Sequence, residues 1–90
     1  MELIDLQPAH SDDRGVITDL IGDEGINAVT VVTFRAGAVR ANHYHEHTVQ
    51  WNYVMHGEVL LATQMPGGER IERVLHKGDL AVTREHERHA

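Results

Sequence analysis

The sequence predicts an all-β domain, and three observations carry that expectation. Short runs rich in β-branched residues recur along the chain, Asn27–Phe34 (NAVTVVTF) the plainest of them. Clusters of glycine, proline, aspartate and serine separate the runs at short intervals, the pattern of a sandwich or barrel. No window carries the 3.6-residue apolar period of an amphipathic helix. At 90 residues the chain makes one small domain, 1–90.

Each element follows from local chemistry. Leu3, Ile4 and Leu6 suggest a first short strand, ended by Pro8. Ser11–Gly15 (SDDRG) is turn chemistry, and Val16–Ile21 reads as the strand after it. Gly22–Gly25 turns again into Asn27–Phe34, and Ala36-Gly37-Ala38 is a tight connection into a histidine-bearing strand. Trp51–Met55 and Glu58–Gln64 flank a corner at His56-Gly57. Met65-Pro66-Gly67-Gly68 is a turn, followed by strands over Glu69–Leu75 and Leu80–Thr83 on either side of His76–Asp79.

Composition narrows the partners. The chain has 8 Lys+Arg against 14 Asp+Glu, a net charge of −6, and no basic cluster. Nucleic-acid binding needs concentrated Lys and Arg, so no nucleic-acid partner is expected. Absent cysteines leave no disulfides or thiolate metal sites, which fits a reducing compartment. MELIDLQPAH lacks a basic start and an apolar run, and no stretch approaches the length of a membrane span. The expected location is cytoplasmic, with no membrane partner.

Chemistry concentrates in Gly37–Gly57 (GAVRANHYHEHTVQWNYVMHG). On a strand His43, His45 and His47 point to one face, and imidazoles two residues apart have a spacing that can chelate a divalent ion. Gln50 could add an amide oxygen from the next strand. Gly37, His43, His45, Gln50 and Gly57 resemble the first motif of the cupin superfamily, with glutamine where glutamate is usual. The second cupin motif is matched in length by Gly78 to His89, with Arg84 and His86 where proline and glycine are usual.

That resemblance implies a double-stranded β-helix, or jelly roll, holding one divalent transition metal on His43, His45, Gln50 and His89. Imidazole-rich sites suit Zn, Fe, Ni or Cu and tolerate Mn. Such barrels usually continue past the point where this chain stops, Ala90, so the fold is expected to be truncated at its C-terminal end. Open edges invite pairing, and a homodimer, strand-swapped or simply paired, is expected.

Asp12–Asp19 and Val39–His45 are similar to segments of cupin-type sugar-nucleotide epimerases and isomerases. The implied function is a metal-dependent isomerase or epimerase acting on an oxygenated small molecule such as a keto-sugar nucleotide. A non-catalytic cupin module for a small ligand or metal, and an Fe(II) dioxygenase, are the alternatives. Without a glutamate base, proton abstraction would fall to His47 or Tyr53. Tyr53 could equally pack, as Trp51 and Phe34 are expected to. Arg40 is either a solvated charge or a substrate anchor. His10, His56 and His76 lie in turn segments and are expected to carry no function.

Overall fold

The computed structural model describes residues 1–39 and 49–84 together with the backbone of 88–89. Among them the fold is all-β: β1 (Glu2–Leu3), β2 (His10–Asp12), β3 (Gly15–Ile17), β4 (Gln50–Tyr53), β5 (Glu58–Gln64), β6 (Arg70–His76), β7 (Leu80–Thr83) and β8 (Arg88–His89). Every pairing is antiparallel. The chain divides into two compact units, Met1–Asp5 with Arg40–Ala90, and Leu6–Val39.

The first unit holds two three-stranded sheets. In the first sheet β7 lies between β1 and β4, and in the second β5 lies between β6 and β8. The β5–β6 hairpin is the longest ladder, running from Glu58 opposite His76 to Gln64 opposite Arg70. Its turn follows from sequence: Pro66 supplies a fixed φ, and Gly67 adopts the left-handed φ of 71° that the next position needs. The Gly68 amide then donates to the Met65 carbonyl at 2.9 Å. A similar turn joins β6 to β7, where Gly78 has φ 91° and the Asp79 amide donates to His76.

Alternation sorts the hairpin into two faces. Glu58, Leu60, Gln64, Arg70, Glu72, Val74 and His76 are exposed on one, where Ala62 is buried among them. Surface pairs there, such as Arg70 with Glu72 at 2.9 Å, contribute little stability. Leu61, Thr63 and Leu75 point to the other face and are buried, whereas Ile71 and Arg73 on that face are exposed. Leu61 and Leu75 form one cluster with Val54 and Ala81, and Met1 packs against it. This cluster joins the two sheets, and its apolar burial is the main stabilising contribution.

The second unit holds the β2–β3 hairpin, with His10 opposite Ile17 and Asp12 opposite Gly15. Asn27–Phe34 forms no strand, contrary to expectation. β-branched residues favour a paired, half-buried strand, and no described strand runs beside this segment. Val29 is 87% and Val31 75% exposed.

Other expectations need smaller corrections. Val16–Ile21 shortens to β3, because its ladder partner β2 is only His10–Asp12. Ser11 and Asp12 lie in that strand rather than in the turn. The described strands form open antiparallel sheets and no closed barrel, so the architecture is established as all-β. The histidine strand, His43 to His47, lies outside the described residues.

Neighbouring residues on β6 test this packing. Leu75 is 2% exposed and Val74 50%. Denaturant unfolding is expected to show Leu75→Ala losing about 2–5 kcal/mol. Val74→Ala should change stability by about 0.5 kcal/mol or less.

Candidate functional site

The cluster of Val54, Leu61, Leu75 and Ala81 identifies the sheet faces that meet. Alternation then places further residues on those faces. Thr83 follows Ala81 along β7, Thr63 follows Leu61 along β5, and Gln50 and Asn52 on β4 precede Val54, which lies just past its end. Three rows that begin apolar therefore continue as hydroxyls or amides. Gln50 stands opposite Thr83, and Asn52 opposite Ala81, in the β4–β7 ladder.

These polar groups are withdrawn from solvent. Thr63 is 1% exposed, Thr83 is also buried, and Gln50 and Asn52 are half-buried. Asn52 Nδ2 donates to the Ala81 carbonyl at 3.2 Å, which holds the amide against the ladder. Thr63 Oγ1 is buried and has no hydrogen-bond partner among the described residues. Buried hydroxyls are usually partnered, and leaving one unmatched costs about 1–3 kcal/mol. Thr63 stands opposite His89 in the β5–β8 ladder.

The residues expected to carry function are distributed as follows. Gln50 lies in the polar row. Tyr53 sits on the other face of β4 with Trp51, opposite Leu80, and is 43% exposed. The structure does not bring Tyr53 to the side of β4 that carries Gln50. Arg40, His43, His45 and His47 lie outside the described residues, and His89 is placed by its backbone alone. Thr63 and Thr83 were missed by sequence reasoning. The signal was present, since strict alternation puts Thr63 on the same face as Leu61.

The DDRG segment has a structural task. Asp12 Oδ2 accepts hydrogen bonds from Arg14 Nη2 at 2.6 Å and Nε at 3.2 Å, and Oδ1 accepts from the Arg14 amide at 2.9 Å. His10 Nε2 donates to Oδ2 at 3.0 Å. The Arg14 side chain, then its backbone amide, then His10 hold the Asp12 carboxyl down at about 2. The carboxylate thus closes the β2–β3 turn.

Among the described residues no group of three His, Cys, Asp or Glu side chains could hold a metal ion. The family model for the polysaccharide biosynthesis C-terminal domain matches residues 10–85 of the 90. No curated protein and no solved structure matches the chain.

The family match overturns the cupin resemblance. With it go the metal-dependent isomerase or epimerase, the metal-binding cupin module and the cupin Fe(II) dioxygenase. Turn geometry explains how the resemblance arose. Gly37, Gly57 and Gly78, the glycines that frame both motifs, all have left-handed φ of 75–91° at turns. Short antiparallel strands separated by such turns reproduce the glycine spacing without the family's chemistry.

Two measurements test the local assignments. Gln50→Glu would bury a carboxylate beside Thr83, and calorimetry should show a loss of about 1–3 kcal/mol. For Asp12, the folded carboxyl at about 2 lies below its ordinary value of 3.8. Its stabilisation is therefore present above the ordinary value and is lost as pH falls through about 2. Amide shifts of β2 and β3 should report that loss, and Asp12→Asn should abolish the transition.

Proposed function

The chain belongs to the polysaccharide biosynthesis C-terminal domain family, and from that membership we propose that it binds a saccharide of polysaccharide assembly between its two three-stranded sheets. The observation that carries the reading is the buried Thr63 hydroxyl, which has no partner among the described residues. A sugar hydroxyl can donate to Thr63 Oγ1 and accept from a neighbouring amide, matching a cost that the protein otherwise bears.

The neighbouring row supports the same ligand class. Gln50, Asn52, Thr63 and Thr83 are neutral, and their amides and hydroxyls both donate and accept. That chemistry suits a polyhydroxylated ring. The adjoining apolar cluster offers a surface for the C–H faces of the ring. As the finer architecture we propose a jelly-roll sandwich, supported by two sheets that share one core.

Thr63→Val separates this reading from a purely structural one, because it replaces the hydroxyl with a methyl of similar size. Nuclear magnetic resonance titration with neutral hexoses, N-acetylhexosamines and nucleotide-activated sugars supplies the binding readout. The expected outcome is a higher melting temperature, from removal of an unmatched polar group, with roughly fivefold to tenfold weaker saccharide binding. Tyr53→Ala, on the opposite face of β4, should leave binding unchanged. If no saccharide perturbs the amides of β4, β5 or β7, the reading is wrong.

A further inference from the structure

The β5–β6 ladder sets Val59, Leu61 and Thr63 on one face together with Ile71, Arg73 and Leu75. Arg73 is the only charged residue of that group, whereas Glu58, Arg70 and Glu72 stand on the reverse face. A charge set into an otherwise apolar row breaks the local pattern, and such breaks concentrate at functional positions.

Along β6 this face passes from closed to open. Leu75 is 2% exposed and Ile71 50%, with Arg73 also exposed between them. Arg73 therefore lies where the covered part of the face meets solvent. Thr63 stands opposite Ile71, so Arg73 is its diagonal neighbour across the ladder. Diagonal positions lie about 7–8 Å apart, a separation that a long side chain can reach across. The charges around it are committed elsewhere. Glu72 accepts from Arg70 Nε at 2.9 Å on the reverse face, and Arg84 Nη2 donates to Glu2 at 2.8 Å. Burial lowers the pKa of the Met1 amine, Glu2 opposes that shift, and Arg73 and then Arg84 reinforce it, which reduces the charge the amine carries.

We infer that Arg73 binds a carboxylate borne by the saccharide ring, so that the preferred ligands are acidic sugars of the uronic acid class. The inference rests on the saccharide site proposed above and adds the charge that its ligand carries. The planar guanidinium fork matches a carboxylate through two parallel hydrogen bonds. Charge favours a carboxylate over a phosphate. One guanidinium offsets a single negative charge, whereas a phosphate monoester carries roughly 1.5 to 2 at pH 7. In a chain of net charge −6 the surplus would be repelled.

Nuclear magnetic resonance titration of the full 90-residue chain with glucose, glucuronate and glucose 1-phosphate tests this. At low salt glucuronate is expected to bind about fivefold or more tightly than glucose. Sodium chloride at about 0.5 M should shrink that preference without changing glucose binding, a comparison that needs no variant. Arg73→Gln should remove the preference and leave glucose binding unchanged. Arg73→Lys should keep part of it, because the charge remains while the fork is lost. Arg70→Gln removes the same charge from the reverse face of the same strand and should leave the preference intact. Glucose bound with no advantage for glucuronate overturns the inference and leaves the saccharide site standing. So does an advantage that survives Arg73→Gln, or glucose 1-phosphate as the tighter ligand. No response to glucose or glucuronate overturns it too, and the site itself falls only if N-acetylhexosamines and nucleotide-activated sugars also fail.

Discussion

The first unit depends on the double-sided pairing of β7. All four of its residues, Leu80 to Thr83, are at most 2% exposed. A buried backbone leaves no water for its amides and carbonyls, so both edges need a partner strand. β1 supplies one and β4 the other, two elements distant in sequence. Ala81 sits at the centre of this arrangement, fully buried. Its methyl group lets Val54, Leu61 and Leu75 meet across the sheets, and its carbonyl accepts the Asn52 amide. Packing and polar satisfaction therefore converge on one small residue.

From that centre the rows run in a chemically graded way. Apolar side chains join the sheets, and beyond them stand Thr63, Thr83 and Gln50. A protein interior selected only for stability would have placed valine at Thr63, since valine has the same shape and no hydroxyl to satisfy. Retention of an unmatched polar group is the kind of local inconsistency expected at a functional position.

The second unit is governed by a different balance. Its hairpin is closed by one carboxylate that collects Arg14 and His10, an exposed device of modest strength. Beside it in sequence lies the most β-prone segment of the chain, exposed and in no described ladder. Intrinsic preference supplies the capacity to form a strand, but a strand exists only where another backbone completes its hydrogen bonds.

The sequence by itself determined what short-range chemistry controls. Glu58–Gln64 and Leu80–Thr83 are strands with the expected bounds, and Pro66-Gly67 and Lys77-Gly78 turn where fixed and left-handed φ were available. The all-β class followed from the same signals. Tertiary structure decided which segments joined ladders among the described strands: Asn27–Phe34 joined none, whereas His10–Asp12, with little β-propensity, did. It also decided that Thr63 faces the apolar cluster with no partner among the described residues, a fact no residue type reveals. Motif spacing misled because turn glycines at regular strand lengths are common to many antiparallel folds. Local conformation is a property of a few adjacent residues, whereas pairing and burial depend on which distant segment arrives alongside.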